Sequence, residues 1–177
     1  MDAARRQLNA SVLMYFNDID PVAVHAVCAG ATQILTDLGA KKGLKLGLRA
    51  ALQFIRRERR EELSQIMREP QNHIKHADRP GDEDKILEYR PGTLEFYIFM
   101  AVDAYEKYTG ESTPEARVFW LWFSVNHPDI LLESVYKQQI EDFTGKFGSF
   151  TAKDKELCLK IVDTIRTKKN VTGINYN

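Results

Sequence analysis

Apolar side chains recur at helical spacing from the start of the chain. Leu8, Val12 and Phe16 follow one another every four residues, which places them on one face of a helix. This pattern predicts a first amphipathic helix over residues 3–17. No strand alternation and no βαβ spacing is evident along the chain. We therefore expect an all-α fold, a helical bundle with short connections.

Turn residues separate this helix from a second one. Asp20 suits an N-cap and Pro21 a first helical turn, so the second helix is predicted to begin there. We expect it to run to Leu38 and to end at Gly39, because glycine commonly follows the last helical residue. Its middle is rich in small side chains that allow close approach to a neighbour, so we expect this helix to lie centrally in the bundle.

Helical periodicity continues through residues 41–67, with an interruption expected near Gly43 or Gly47. Pro70 is then predicted to end or kink this helix, because proline lacks an N–H donor and crowds the preceding turn. Pro70 is also well placed to begin a new short helix. A kinked, polar helix near residues 68–78 is thus expected to differ from an otherwise ordinary scaffold.

The C-terminal half shows the same succession of apolar stretches and turn residues. It predicts helices over residues 94–108, 114–126, 130–143 and 151–167. The aromatic block at residues 119–123 is interpreted mainly as buried core. We expect a single domain over residues 1–177, with its core in residues 3–167 and a frayed tail over residues 168–177.

Charge is balanced over the whole chain. Lys and Arg total 25, as do Asp and Glu, so the sequence does not indicate a surface-wide attraction to nucleic acid or to an anionic membrane. Residues 41–60 depart from this balance, because their lysines and arginines are accompanied by a single acid, Glu58. Such a stretch is either a solvated helix face or a local binding surface for RNA phosphates.

The two cysteines, Cys28 and Cys158, lie far apart and outside any metal-binding spacing, which is typical of reduced, buried thiols. The N-terminus lacks the apolar stretch of a signal peptide, and no apolar run approaches the ~20 residues of a membrane span. We therefore expect a cytoplasmic protein that neither inserts into a membrane nor requires a cofactor.

The segment of residues 68–78 concentrates side chains that bind phosphates or move protons near neutral pH. Its candidate functional residues are Arg68, Asn72, His73, Lys75, His76 and Asp78. If a helix begins at Pro70, Asn72 and His76 stand at i and i+4, with Cβ atoms ~5–6 Å apart on one face. Asp78 follows at the end of that helix, where it could orient a histidine ring.

Arg68 and His73 fit the pattern Arg-x4-His, and Asn72 and His76 fit the pattern Asn-x3-His. Together these motifs resemble the signature of the HEPN superfamily, whose members are small α-helical domains, often dimeric. Many of them are metal-independent RNases of toxin–antitoxin, CRISPR-associated and phage-defence systems, and many others have lost cleavage. The commoner motif has an arginine directly before the asparagine, where this chain has Gln71. A catalytic arginine would therefore have to be Arg68.

The resemblance implies roles for these side chains in RNA cleavage. A histidine, His76 before His73, would act as general acid or base on the ribose 2′-OH or the leaving 5′-oxygen. Arg68 would stabilise the charge that develops on the phosphate, and Asn72 would hold the histidine or a phosphate oxygen. A homodimer with facing polar segments is expected. The RNA backbone would be bound by Lys75, Arg56, Arg57 and Arg60.

Two other interpretations of the chain stay open. It could be a non-catalytic helical module that binds a protein partner through the aromatic block or the basic stretch. His73 and His76, joined by Asp78 or by His25, could instead bind a transition metal, although an isolated HxxH is weak support for such a site. His25 belongs to the second predicted helix and could face residues 68–78 across the bundle.

Overall fold

The computed structural model of the chain describes residues 1–75, 92–135, 137, 141 and 155–171, and for residues 68–75 and 169–171 it describes the backbone alone. Within this part of the chain the backbone forms α-helices, short 3-10 turns and an isolated bridge between Ile55 and Leu131. The all-α fold predicted from the sequence is confirmed.

The helices follow one another through short connections wherever the connecting residues are described. In chain order the helices with a continuous described backbone are α1 (Asp2–Phe16), α2 (Pro21–Lys41), α3 (Leu48–Ala51), α4 (Arg60–Lys75), α5 (Thr93–Thr109), α6 (Pro114–Asn126) and α7 (Lys155–Val171). Residues 133–135, 137 and 141 are also helical, within the helix predicted over residues 130–143. Two 3-10 turns, Leu52–Phe54 and Arg57–Arg59, join α3 to α4.

Three helix boundaries follow the capping signals of the sequence. The Asp20 carboxylate accepts a hydrogen bond of 2.9 Å from the backbone N–H of Val22, and the Thr113 hydroxyl accepts one of 3.1 Å from that of Ala116. Both side chains satisfy N–H groups that a first helical turn leaves unpaired. Gly110 ends α5 in the left-handed conformation, with a φ of 74°. These predicted boundaries are confirmed.

Gly39 behaves differently, because α2 passes through it and ends at Lys41. The predicted stop at Gly39 is therefore wrong. A Cβ atom at this position would lie 2.6 Å from Cδ1 of Leu46, closer than real Cβ atoms approach. The small size of Gly39 admits the chain that returns after the helix, and the left-handed turn falls at Gly43, whose φ is 70°.

The basic stretch of residues 41–60 does not form one helix. The chain leaves the helical conformation at Gly43 and Gly47, whose φ angles are 70° and 80°, as the sequence predicts. It does so again at Ile55, whose extended backbone pairs with Leu131. The lysines and arginines therefore lie on a loop, on α3, on the two 3-10 turns and at the start of α4, and they share no common helix face.

The centre of the bundle is α5, in which residues 96–105 are all buried. The sequence predicts this central place for α2, which instead buries one face against α1 and α5. The aromatic block of α6 packs beside α5, where Phe99 stacks on Phe123 at 4.5 Å and meets Trp120 edge-on at 4.7 Å. The interpretation of residues 119–123 as buried core is confirmed.

Among the described helices, α2 is long and apolar enough to cross a membrane, judged by length and composition. The core helix of a soluble protein passes the same test. Val24, Cys28, Ala31 and Leu35 of α2 are fully buried against other parts of the chain. Length and apolarity are therefore weak support for a membrane span in this protein.

The C-terminal helix α7 packs against α1 and α6 of its own chain. Cys158 and Val162 are fully buried in the bundle. The helix reaches Val171, beyond the predicted end at Thr167. Residues 168–171 are thus helical and do not belong to a frayed tail.

Candidate functional site

The predicted catalytic segment begins on α4, which is helical without interruption from Arg60 to Lys75. Pro70 is predicted either to end this helix or to kink it. The prediction that it ends the helix is wrong, because helical backbone continues beyond Pro70. Proline has no N–H to donate to the Ile66 carbonyl, so one helical hydrogen bond is missing without the helix being broken.

The continuous helix fixes the register of the predicted residues. Arg68, Asn72 and Lys75 stand at i, i+4 and i+7, so they follow one another along a single face of α4. We call these three positions the α4 polar row. His73 lies about 100° around the helix axis from Asn72 and is not part of the row. A substrate strand lying along this face would meet the three positions in turn.

Part of the predicted site lies outside the described residues. This holds for His76 and Asp78 altogether, and for the side chains of Arg68, Asn72, His73 and Lys75. The pairing of Asn72 with His76 at i and i+4 therefore stays a prediction. The described part of the site is its base, where α4 is attached to the bundle.

The attachment is made by Met67, directly before the polar row. Met67 is 2% exposed, and its carbonyl accepts a hydrogen bond of 3.4 Å from the Tyr97 hydroxyl on α5. The ring of His25 on α2 lies with its centroid 4.0 Å from that of Tyr97. Tyr97 therefore lies between His25 and the backbone of Met67, so His25 is near the start of residues 68–78.

His25 is 1% exposed, and burial lowers the pKa of its imidazole to about 4. The ring is therefore neutral at pH 7. Such a histidine does not exchange protons in the neutral range. The geometry favours a packing role for His25 over a role in acid–base chemistry.

Two of the arginines predicted to bind RNA are engaged with the protein's own backbone. Arg56 donates through Nε to the Leu131 carbonyl at 2.9 Å and through Nη2 to the Pro128 carbonyl at 3.3 Å. Arg60 donates through Nε to the Ile55 carbonyl at 2.9 Å. These bonds stabilise the break between α3 and α4 and hold it against the residues that follow α6.

The other arginines of this stretch have different surroundings. Arg57 is exposed, and its side chain forms no hydrogen bond or ion pair with the described residues. Arg59 lies 2.9 Å from the Glu62 carboxylate and 3.6 Å from that of Asp129. Of the three arginines predicted to bind RNA, Arg57 therefore has the most accessible charge.

A second polar cluster, not predicted from the sequence, joins α1, α5 and the end of α6. The Tyr15 hydroxyl donates to Oε1 of Glu95 at 2.6 Å, and Nε2 of His127 lies 3.3 Å from Oε2 of the same carboxylate. A Cβ atom on Gly92 would lie 3.8 Å from Cε1 of His127. We call Tyr15, Glu95 and His127 the Tyr–Glu–His cluster.

Hydrogen bonding keeps the Glu95 carboxylate charged in this cluster. Burial raises its pKa, but the nearby His127 imidazole and the hydrogen bond from Tyr15 outweigh that effect, so the pKa of Glu95 lies below its usual range. Burial, followed by the hydrogen bond to Glu95, raises the pKa of the Tyr15 phenol. The proton therefore stays on Tyr15 and the charge on Glu95.

The surroundings of the cluster favour a structural role. A carboxylate beside an imidazole can orient the ring for proton transfer, but here both carboxylate oxygens already contact protein groups. The His127 ring lies 4.6 Å from Phe123 and 6.1 Å from Trp122, measured between centroids. His127 follows the end of α6, as predicted from the sequence. Its contact with Glu95 could not be predicted, because the two residues are remote in the chain.

Cation-binding side chains do not cluster among the described residues. No group of three or more His, Cys, Asp or Glu side chains there could hold a metal ion. This absence does not bear on the alternative metal site at His73, His76 and Asp78, because the His73 side chain and all of His76 and Asp78 lie outside the described part of the chain. Cys28 is a buried free thiol, and burial raises its pKa to about 12, so it is a poor nucleophile and metal ligand.

Comparisons of the chain with protein-family models, with curated proteins and with solved structures find no match in any of the three. The resemblance to the HEPN superfamily therefore depends on the motifs within residues 68–76 and stays a prediction.

Proposed function

We propose that the chain is a HEPN-like, metal-independent endoribonuclease that binds RNA and acts as a cytoplasmic homodimer. The observation that best supports the proposal is the uninterrupted α4, whose register aligns Arg68 and Asn72 with Lys75. A setting in toxin–antitoxin or phage-defence systems is part of the proposal by analogy with the family that the motifs resemble.

In the proposed reaction the RNA supplies its own nucleophile. An unprotonated histidine, His76 in first place, takes the proton of the ribose 2′-OH, and the 2′-oxygen attacks the adjacent phosphorus. The bond between phosphorus and the 5′-oxygen breaks, and a protonated histidine, His73 or one from the second subunit, gives its proton to that oxygen. The products are a 2′,3′-cyclic phosphate and a 5′-hydroxyl.

The α4 polar row would stabilise this reaction by charge and hydrogen bonding. The Arg68 guanidinium would donate paired hydrogen bonds to the non-bridging phosphate oxygens, on which negative charge develops. Asn72 would hold the His76 ring or a phosphate oxygen through its amide. Lys75 would attract the next phosphate along the strand.

The proposal is tested by incubating purified protein with a mixed RNA pool, with and without EDTA. His76→Ala and Asn72→Ala should each lower the cleavage rate, the first by ~10²–10⁴-fold, the usual contribution of a general acid or base. Gln65→Ala is the matched control, since Gln65 is an exposed amide one heptad before Asn72 on the same helix. It should cleave like the wild type.

The outcomes separate the candidate functions. Cleavage that survives EDTA and is lost in His76→Ala supports the proposal, and the cyclic phosphate identifies the reaction. Cleavage that EDTA abolishes would indicate the metal-dependent alternative at His73 and His76. An absence of cleavage by the wild type in every buffer would contradict the nuclease function.

A non-catalytic protein-interaction module is the second candidate. The observation that favours it is the engagement of Arg56 and Arg60 with backbone carbonyls, which leaves fewer cations for RNA than the sequence indicates. The anisotropy of a labelled RNA distinguishes this candidate. A protein-binding module would leave the anisotropy unchanged even at low salt, while its circular dichroism remained that of a folded helical protein.

A further inference from the structure

The loop between α2 and α3 carries a group of exposed cations. We use the name basic loop for residues 41–49, which include this loop, the last residue of α2 and the first two residues of α3. The side chains of Lys41, Lys42, Lys45 and Arg49 are all exposed, and the sequence has no acidic residue between Asp37 and Glu58. In a chain of zero net charge, this loop is a local positive surface.

The tip of the basic loop, around Gly43 and Leu44, is open to solvent. Gly43 and Gly47 adopt positive φ angles of 70° and 80°, and a Cβ atom built on Gly43 would meet no atom within 4 Å. Leu44, between the lysines, is 38% exposed. A large ligand can therefore approach this loop without displacing other described residues.

Within the described residues, the charges of the loop are largely unneutralised. Lys42 lies over the Tyr108 ring, with its Nζ 4.0 Å from the ring centroid. The side chains of Lys41, Lys45 and Arg49 form no hydrogen bond or ion pair with the residues that the structure describes. They contrast with Arg56 and Arg60, whose guanidiniums donate to backbone carbonyls.

The chain that leaves the basic loop follows α5 toward the start of that helix. Ala50 lies near the C-terminal end of α5, where the Lys107 ammonium donates a hydrogen bond of 3.5 Å to the Ala50 carbonyl. The Phe54 ring also lies beside Lys107, 4.9 Å from its Nζ, and reaches toward the start of the helix, where its centroid is 6.1 Å from that of Phe99. The α4 residue Met67 then meets Tyr97 on the same helix.

The basic loop and the α4 polar row therefore lie at two ends of one path along α5. Lys42 marks one end at Tyr108, and Met67 marks the other at Tyr97. At ~1.5 Å of rise per residue, these two tyrosines are about 16 Å apart along the helix axis. A mononucleotide is too short to contact both regions, whereas an extended strand can reach from one to the other.

We infer that the basic loop binds the phosphate backbone of a single-stranded RNA whose scissile phosphate lies at the α4 polar row. Lys41, Lys45 and Arg49 supply the phosphate contacts that the sequence assigns to Arg56 and Arg60. A positive surface at one end of this path suits one flexible strand, because unspecific single-strand binding relies on attraction between cations and the phosphate backbone. The inference rests on the proposed ribonuclease function and specifies its substrate.

The test is the salt dependence of binding, measured by the anisotropy of a labelled oligouridylate. Each phosphate contact adds about 0.7 to the slope of log affinity against log salt for single strands. The triple variant Lys41→Gln/Lys45→Gln/Arg49→Gln should therefore lower that slope by about 2, so a tenfold rise in salt costs about a hundredfold less affinity than in the wild type. Binding of a uridine dinucleotide at the α4 polar row should be equal in both proteins.

A second triple variant, Arg6→Gln/Lys137→Gln/Lys160→Gln, is the matched control. It removes the same net charge at exposed positions, each of which lies one helical turn from an acidic partner. Its slope should equal that of the wild type. Thermal unfolding of all three proteins checks that both variants are folded.

The outcomes distinguish this inference from the function on which it rests. Suppose that the wild type cleaves RNA but the salt-dependence slope of the basic-loop variant is unchanged, or equals that of the control variant. Either result would overturn this inference and leave the proposed ribonuclease function standing. No binding and no cleavage of RNA by the wild type would overturn both. Binding to phosphatidylserine vesicles in place of RNA, lost in the basic-loop variant, would assign the loop to a membrane surface and also overturn the inference.

Discussion

At the scale of single residues, the arginines between positions 56 and 60 are equivalent in charge but not in surroundings. Arg56 and Arg60 donate to backbone carbonyls, Arg59 pairs with acids, and Arg57 is exposed. A guanidinium has five donors in a fixed fork, so it bridges distant carbonyls as readily as it binds phosphate. Which of these it does depends on what the fold brings near it.

His25 leads to a prediction at this scale. Its imidazole has a pKa of about 4 in the folded protein because it is buried, whereas a histidine in the unfolded chain has a pKa near ~6.5. Between these values the unfolded state binds a proton that the folded state does not, so stability should fall as the pH falls through this window. His25→Phe keeps an aromatic ring and removes the titration.

The measurement is the urea midpoint of wild type and His25→Phe at pH 7 and at pH 5. We expect the wild type to lose more stability between the two than the variant. Equal losses would show that the His25 ring reaches solvent or pairs with a charge that offsets its burial.

At the scale of elements, α4 is fixed to α5 by a contact placed directly before the α4 polar row. The Tyr97 hydroxyl donates to the Met67 carbonyl, and Met67 is buried. Few other described contacts hold α4 to the bundle, so this bond has a large share in setting the position of the helix. A shift of α4 relative to α5 would move Arg68 and Asn72 together, since both belong to one continuous helix.

Tyr97→Phe removes this hydrogen bond and keeps the aromatic ring. We expect a loss of about 0.5–1.5 kcal/mol in the free energy of unfolding, the usual net value of one hydrogen bond. We also expect faster hydrogen exchange in the α4 amides than in those of α5.

Tyr108→Phe is the control, because Tyr108 belongs to the same helix and its hydroxyl makes no hydrogen bond with the described residues. Exchange of the α4 amides at the wild-type rate in Tyr97→Phe would contradict the anchoring role.

At the scale of the whole molecule, one aromatic core joins α5 and α6. Phe99 and Phe123 stack at 4.5 Å, and Phe119 continues the contact at 6.3 Å from Phe123. Helix α1 is attached to the same core, since Tyr15 lies edge-on to Phe119 at 5.8 Å. Because the helices share this core, we expect them to unfold together.

Phe123→Ala should therefore destabilise the entire bundle, by about 3–5 kcal/mol for a fully buried phenylalanine. Urea unfolding followed by circular dichroism and by tryptophan fluorescence should give coincident transitions, both shifted to lower urea. Ile19→Ser, at a position that is 46% exposed, should change stability by less than about 0.5 kcal/mol. Separate transitions for the two probes would show that the core is divided.

The fold class and most helix boundaries could be predicted because their causes are local. The apolar period of Leu8, Val12 and Phe16 and the caps at Asp20 and Thr113 act within one or two helical turns. The predicted site was located on the same basis, as a dense run of polar residues in one segment. Such signals require no knowledge of what lies across the bundle.

Contacts between remote residues could not be predicted in this way. Glycine at position 39 is typical of a helix end, but here the absence of a side chain makes room for Leu46, which packs against the helix. The Tyr–Glu–His cluster joins three helices through side chains that are isolated in the sequence. Burial, close approach and hydrogen-bond pairing arise only when the helices pack. The sequence by itself is therefore enough to predict most of the helices and to locate the candidate motif. Which cations are available to a ligand is decided only by the packing of the helices.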